Sequence, residues 1–567
     1  MKKFTFGNPE KLVPSKYCDG FNYIETEVKY PETNFKFKKT KSGCVLEFPI
    51  EDDCRIFGFG LQLKRFEHKY QKLKLAVNAD PVMPIGESHA PVPFFVTNKG
   101  YGMFFDTARY AEFYCGKMKN NGINKESKSG GGTSTDELYA KREESDVIMT
   151  VSIPVAEGID VYVIEGETIT DIVSQYNMLS GGGCDVPEWG LGVMYRCFTG
   201  WGEDGIKKTA DYFRENNIPC DIIGLEPGWQ TGAYPCTYKP SDKFPNFADM
   251  VKYLTDRNFH VNLWEHAFTS TKSEIHDDLI PYSGDYLVWG GLVPDFATEE
   301  AKKIFADYHR EKITSLGIDG FKLDECDSSD NTGSWSFPLC AEFPSGLDGE
   351  QYHSLFGMLY AKTIMQALDN GPTLSQVRQM GALAASYPFG LYSDLYDHKD
   401  FIRGVTTAPF SGLLWSPEFR DAKTKDECLR RLQAVVFSVQ CLVNAWYYDG
   451  IPWVGFDCED EVRELFNTRK KLVPMLKKAF EEYKSTGKPP VRALVMDYTD
   501  DAETYNIDDE WLFCNDLLVA PIPANTGDER KVYLPTNSKW VDYFTGEPVE
   551  SGWFEVSTKG IPVYKRI

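Results

Sequence analysis

The sequence predicts an α/β protein built on a (β/α)8 barrel, preceded by a β-sandwich and followed by a small β-domain. Three observations carry that expectation. Residues 1–185 hold short alternating or apolar runs, such as Cys44-Val45-Leu46-Glu47-Phe48, Phe94-Phe95-Val96 and Val147-Ile148-Met149-Thr150-Val151, separated by Gly, Asn and Asp turns. Residues 186–480 alternate short apolar runs with helical stretches, eight times over. Residues 481–567 return to short strands, including Trp511-Leu512-Phe513, Leu517-Leu518-Val519 and Lys531-Val532-Tyr533-Leu534.

Alternation in the first segment suits an antiparallel sandwich, where one face of each strand meets the core. A Gly- and Ser-rich loop at 129–134 interrupts it, and Ser180-Gly181-Gly182-Gly183 marks its end. In the second segment strands are expected at 192–195, 221–225, 261–264, 320–323, 372–375, 389–392, 411–415 and 441–443, with helices such as 205–216 and 298–316 between them. Eight such units in roughly 290 residues match a (β/α)8 barrel. A doubly wound sheet gives a similar alternation and stays open as the alternative.

The 567 residues are 42% hydrophobic and 14% aromatic, which supports large cores and excludes disorder, collagen and coiled coil. Against 61 Lys and Arg stand 84 Asp and Glu, a net charge of -23 that repels phosphate backbones and anionic lipid, so neither nucleic acid nor a membrane is expected as a partner. The basic start Met1-Lys2-Lys3 runs into Gly7-Asn8-Pro9-Glu10 instead of an apolar signal region, and no apolar run approaches the roughly 20 residues of a membrane span. Fourteen cysteines are scattered from Cys18 to Cys514 without a C-x-x-C pair or paired histidines. They read as buried thiols of a soluble cytoplasmic protein, with neither a zinc site nor a disulfide framework. Association into a homo-oligomer is left open.

In a barrel the residues just past each strand carry the chemistry. Here they are Glu226-Pro227-Gly228-Trp229 after the second strand, Glu265-His266 after the third and Asp324-Glu325-Cys326-Asp327 after the fourth. Arg378 follows the fifth, Ser393-Asp394 the sixth, Glu418 the seventh and Asn444 the eighth. Aromatic faces that stack on pyranose rings, together with carboxylates and amides that grip hydroxyls, suit a sugar site. Cleaving a glycosidic bond takes two carboxyl groups in opposite protonation states, and Asp324 and Asp394 face each other across the mouth. The alternative for each is a solvated carboxylate or a helix N-cap. Trp229, Trp264, Trp289 and Trp415 are candidates to line the subsites, with a core position as the plainer reading of each. His266 reads as structural, Asp295 as a helix cap, and Glu325 and Asp327 as neighbours that tune the nucleophile's hydrogen bonds.

These motifs resemble glycoside hydrolase family 31 over nearly the whole chain. Gly317-Ile318-Asp319-Gly320-Phe321-Lys322-Leu323-Asp324 is similar to the family's nucleophile strand, and Tyr387-Pro388 with Tyr392-Ser393-Asp394 to its acid/base segment. Phe57-Gly58-Phe59-Gly60 and Pro91-Val92-Pro93-Phe94-Phe95-Val96 resemble its N-terminal sandwich. Asp516-Leu517-Leu518-Val519-Ala520-Pro521 and Trp540-Val541-Asp542-Tyr543-Phe544-Thr545-Gly546-Glu547 resemble its C-terminal domain.

The resemblance implies a retaining α-glycosidase acting on terminal α-linked sugars, with no metal or organic cofactor. It makes Asp324 the nucleophile and Asp394 the acid/base, with Arg378 contacting the sugar. Glu226 matches an Asp that holds the O4 edge, and Asn444 stands where a His grips O2 or O3. Lys322 replaces a Trp of the glucosidase branch, and Trp415-Ser416-Pro417-Glu418 replaces an Asp-Ile-Gly-Gly-Phe type of run. These departures leave the terminal sugar open among glucose, galactose, xylose and N-acetylgalactosamine. Transglycosylation and elimination share the first chemical step, and an inactive sugar-binding protein is the least favoured reading.

Overall fold

The computed structural model describes residues 1–118, 147–329, 332–333 and 335–567; the Gly- and Ser-rich loop expected at 129–134 lies outside them. Two five-stranded antiparallel sheets open the chain. One orders Lys2–Asn8, Glu157–Glu165, Tyr101–Phe105, Pro91–Thr97 and Ile56–Gly60, and the other Lys36–Thr40, Gly43–Pro49, Val147–Pro154, Glu112–Met118 and Lys72–Lys74. The strand Val147–Pro154 shows the cause: Val147, Met149, Val151 and Ile153 are buried and the residues between them are not, the period of two that a half-buried strand requires. Between the sheets, Phe48 stacks on Phe95 and Phe105, each at 6.4 Å between centroids.

The outer face of the first sheet is apolar as well, and it packs on the barrel. Phe57 stacks on Phe410 at 5.3 Å and the Gly60 N–H donates to Ser411 Oγ at 3.0 Å, while Phe94 stacks at 3.9 Å on Tyr176 of the connecting helix Ile169–Met178. The outer face of this sheet and the barrel therefore share one continuous core, separate from the core between the two sheets.

The barrel strands are β1 (Val193–Arg196), β2 (Ile222–Leu225), β3 (His260–Glu265), β4 (Gly320–Leu323), β5 (Ser375–Val377), β6 (Phe389–Leu391), β7 (Leu414–Trp415) and β8 (Cys441–Asn444). Parallel ladders run from β1 through β7, and β8 pairs with β1. A parallel bridge between Phe419 and Val443 joins the ends of the ring, so the sheet curls shut and the doubly wound alternative falls away. Two strands depart from expectation. β5 starts at Ser375 because Pro372 has no N–H to give a ladder, which leaves Arg378 directly past its end. β7 shrinks to two residues because Ala408–Ser411 winds into a 3-10 turn closed by Gly412 at φ 67°.

Helices α1 (Glu203–Glu215) and α2 (Glu299–Lys312) cover the expected stretches, and the cap of α2 is Thr298, whose hydroxyl accepts the Ala301 N–H at 3.3 Å. Asp295, expected as the helix cap, instead accepts N–H groups of Ala297 and Ser345 in the turn ahead of it. The last helix, α3 (Glu459–Thr486), runs through the expected domain boundary at 480 and stops at Gly487, left-handed at φ 77°. Beyond it a six-stranded sheet orders Val491–Ala493, Trp511–Phe513, Leu517–Val519, Val563–Arg566, Trp540–Asp542 and Pro548–Val549. Among the described residues no helix is long and apolar enough to cross a membrane.

One buried cation ties α3 to the barrel floor. Arg469 is fully buried and donates to Leu191 O at 2.7 Å, Val436 O at 2.9 Å, Ser438 O at 2.6 Å and Val439 O at 2.8 Å. These carbonyls precede β1 and β8, so the guanidinium stands in for missing backbone donors at the ends of two strands. Arg469→Met should leave all four without a partner and lower the free energy of unfolding by about 3 kcal/mol or more, read from urea melts. A loss below about 1 kcal/mol would show that other groups satisfy them.

Candidate active site

A glycine makes room for the first charge. A Cβ on Gly224 of β2 would lie 2.8 Å from Arg196 Cγ and 3.0 Å from its Cζ, so only glycine lets the side chain that ends β1 cross the barrel mouth. Arg196 is fully buried and bonds Asn262 of β3, Gln376 of β5 at 3.3 Å and the Leu225 carbonyl at 2.9 Å. Its Nε bonds Glu226, whose other oxygen accepts from Lys322 Nζ at 3.1 Å. Burial pushes the Glu226 carboxyl up, but Arg196 and then Lys322 outweigh it and hold the group below its ordinary value. Lys322, from β4, also lies 4.8 Å above the Tyr392 ring.

A second cluster follows β7 and β8. Glu418 accepts from Arg420 on one oxygen and from Asn444 Nδ2 on the other at 3.0 Å. Here burial wins, and the carboxyl is raised above its ordinary value despite Arg420 and Lys322. The difference from Glu226 is one of contacts: two cations touch Glu226, whereas one cation and a neutral amide touch Glu418.

Between the clusters lies Arg378. Its Nε donates to Asp327 at 3.0 Å, while its Nη1 bonds Asp394 and stands 3.9 Å from Asp324. Asp324 and Asp394 thus come from the ends of β4 and β6 to one nitrogen, with their nearest oxygens no more than about 7 Å apart. Asp324 is buried and fully oriented: Trp264 Nε1 donates to one oxygen at 2.7 Å and the Glu325 N–H to the other at 3.0 Å. Asp394 is open, its side chain 51% exposed. Burial pushes Asp394 up, yet Arg378, Arg420 and Lys322 together hold it well below the usual carboxylate range. Glu325 has the opposite fate. It takes a left-handed backbone at φ 58°, and burial next to Asp324 raises its carboxyl well above the ordinary value.

Of the residues expected at the site, Asp324, Asp394, Glu226, Lys322, Arg378, Glu418, Asn444 and Trp264 gather at the mouth. Trp229 and Trp415 do not, which corrects their assignment to sugar binding. Trp229 is in the core, stacked on Phe247 at 5.8 Å with its N–H given to the Trp264 carbonyl at 2.6 Å. Trp415 points outward, its N–H on Phe401 O at 3.0 Å, in space that Gly404 leaves for the indole. His266 is buried among aromatic rings and accepts the Phe268 N–H at 3.1 Å. An aromatic rim lies beside Trp264: Tyr234, 50% exposed, meets Trp289 edge-on at 4.9 Å, and Trp289 stacks on Trp335 at 5.7 Å.

The sequence reading missed Arg196, Arg420, Tyr392, Tyr234 and His89. Arg196 and Arg420 had a usable signal, an arginine at or just past a barrel strand. His89 had none, because it comes from the sandwich. Among the described residues no group of three or more His, Cys, Asp or Glu side chains is set to hold a metal ion.

The model described as the TIM-barrel domain of glycosyl hydrolases family 31 matches residues 184–479, and that of the family's C-terminal domain matches 487–567. Among curated proteins, an alpha-xylosidase of Emericella nidulans is 22% identical over 89% of this chain and 65% of its own length. Alpha-glucosidase 2 of Bacillus thermoamyloliquefaciens is 25% identical over 91% and 67%. The chain spans about two thirds of the length of these relatives. Among solved structures, a Flavobacterium johnsoniae dextranase of the family, complexed with glucose, superposes with a TM-score of 0.79 at 22% identity, over 95% of this chain and 68% of its own. A sulfoquinovosidase of the family from E. rectale gives 0.75 at 19% identity, over 94% and 86%.

Asp327 is fully buried, and Arg378 followed by His89 outweighs the burial that would raise its carboxyl, holding it below the ordinary value. A carboxyl depressed by folding adds stability above the unfolded value, about pH 4, and gives it up as the pH falls through the folded value. Asp327→Asn should therefore cost about 3 kcal/mol at pH 7, and its deficit from the parent protein should shrink as the pH drops below about 4. Denaturant melts across that range check it. A deficit independent of pH would mean that packing, not charge, is lost.

Proposed function

The chain belongs to glycoside hydrolase family 31, and from that premise we propose that it is a retaining, exo-acting α-glycosidase that hydrolyses a terminal α-linked sugar. The observation that carries this reading is the meeting of Asp324 and Asp394 at one guanidinium nitrogen, one carboxyl buried and oriented, the other open to water. In the first step an Asp324 oxygen attacks the anomeric carbon while Asp394 gives a proton to the departing glycosidic oxygen. The bond to the leaving group breaks and a glycosyl ester forms on Asp324. Water then loses a proton to Asp394 as its oxygen joins the anomeric carbon, the ester bond breaks, and the sugar leaves with its α configuration.

Electrostatics divide the two steps. With Arg378 and Arg420 against it, Asp394 is ionised, the form required of the base in the second step. The first step needs a proton on it, so a substrate hydroxyl must draw Arg378 away as the sugar enters. Trp264 and the Glu325 N–H fix the Asp324 carboxyl in direction and place, and their hydrogen bonds favour its return as a leaving group in the second step.

The terminal sugar in this reading rests on the polar floor of Glu226 and Lys322, with Glu418 and Asn444 to one side. Glu226, doubly paired, offers its remaining lone pairs to the O4 edge. The rim of Tyr234, Trp289 and Trp335 is a platform for a sugar on the leaving side. The free thiols, all buried except Cys340, support a cytoplasmic, reducing setting.

A panel of 4-nitrophenyl α-glycosides of glucose, galactose, xylose and N-acetylgalactosamine tests the reading. At least one should be cleaved, and Asp324→Ala should lower that activity about a thousandfold or more. Residual turnover of one per cent would overturn the nucleophile. Transfer would show as longer saccharides and elimination as an unsaturated ketose. For specificity, Glu226→Asp should change the ratio of activities on α-glucosides and α-galactosides by roughly tenfold, about 1.4 kcal/mol. One common factor for all sugars would make Glu226 purely structural.

A further inference from the structure

We infer that His89, supplied by the N-terminal sandwich, is a positioning residue for Asp394, which makes the sandwich part of the catalytic unit. The inference rests on the acid/base role proposed for Asp394. His89 precedes the strand Pro91–Thr97, is fully buried, and reaches two loops of the barrel at once. Its Nδ1 lies 2.9 Å from Asp327 after β4 and its Nε2 lies 2.7 Å from Ser393 Oγ after β6.

The network fixes which nitrogen carries the proton. Asp327 Oδ2 also receives Arg378 Nε at 3.0 Å and as a carboxylate oxygen can only accept, so Nδ1–H is the donor to it. Ser393 Oγ, which accepts the Leu395 N–H at 3.1 Å, keeps its hydrogen and a lone pair for His89 Nε2. Both routes end at Asp394. Through Ser393 the imidazole holds the residue before Asp394 and, by way of the Leu395 N–H, the residue after it. Through Asp327 it fixes the guanidinium that pairs with the Asp394 carboxyl. Asp324, by contrast, takes its hydrogen bonds from Trp264 and the Glu325 N–H and has Arg378 only at 3.9 Å, so the nucleophile depends on His89 far less than Asp394 does.

A residue that places the acid should matter in proportion to how much protonation the leaving group needs. An α-glycoside of nitrophenol needs little, and a disaccharide of the same sugar needs much. His89→Ala should lower kcat/KM on the disaccharide by roughly tenfold or more and on the nitrophenyl glycoside by less than about threefold. Asn reproduces the Nδ1 donor but cannot reach Ser393, so His89→Asn and the mild Ser393→Ala should show the same split. Because both remove one contact, the double variant should be no worse than either alone. Thermal melts of each variant report folding separately. Equal losses on both substrates, or additive losses in the double variant, would overturn the inference. Asp394→Ala is the reference: a split there without one in the His89 and Ser393 variants rejects this inference alone, and no split in Asp394→Ala rejects the acid/base assignment and this inference together.

Discussion

At the end of β5 the buried guanidinium of Arg378 bonds Asp327 and Asp394 and stands 3.9 Å from Asp324. Taking a cation and several anions out of water costs more than simple packing returns, so such a cluster is a poor device for stability. It is a good device for geometry, since a fork of fixed N–H vectors dictates where each carboxyl stands. The β4 and β6 loops come to Arg378 because any other arrangement strands a buried charge. Losing its partners is costly for Arg378 too, and the acidic company raises its affinity for the proton well above normal.

The same logic repeats on both sides at lower stakes. Arg196 and Lys322 neutralise Glu226 under the sugar floor, and Arg420 pairs with Glu418 beside Asn444. Each cluster alone is uneven, but across the mouth Arg196, Lys322, Arg378 and Arg420 nearly balance Glu226, Glu418, Asp324, Asp327 and Asp394, although the chain as a whole carries -23. The local balance allows neighbouring carboxyls to differ in protonation: Asp394 is driven toward the ionised form by two arginines, while Glu325, one residue past Asp324 and with no cation in contact, is driven toward the neutral one.

Much of this was legible in the chain. The period of two in Val147–Pro154 and the eight alternating units identified the sandwich and the barrel, because burial of one face or both leaves a direct mark on residue order. Strand-end position found Asp324, Asp394, Arg378 and Glu226, since a parallel barrel sends the residue after each strand to one mouth. Trp415 was never past a strand: it is the last residue of β7 as expected, and there its side chain faces the helices instead of the mouth. Trp229 failed because it closes a 3-10 turn that folds its ring back onto Phe247. His89 was illegible for a different reason. Its partners, Asp327 and Ser393, lie more than two hundred residues away, and the packing of the first sheet against the barrel, as of Phe57 on Phe410, brings them together.

The central claim is that Asp324 carries the sugar between the two steps. A fluorinated glycosyl fluoride of whichever sugar the protein cleaves should glycosylate it and accumulate as the ester, because an electron-withdrawing fluorine slows both steps and the fluoride leaving group restores only the first. Intact mass should rise by one glycosyl unit per chain, and peptide mapping should place that unit on the peptide containing Asp324. The label on Asp394, Glu325 or another carboxyl, or inactivation without any covalent label, would contradict the account.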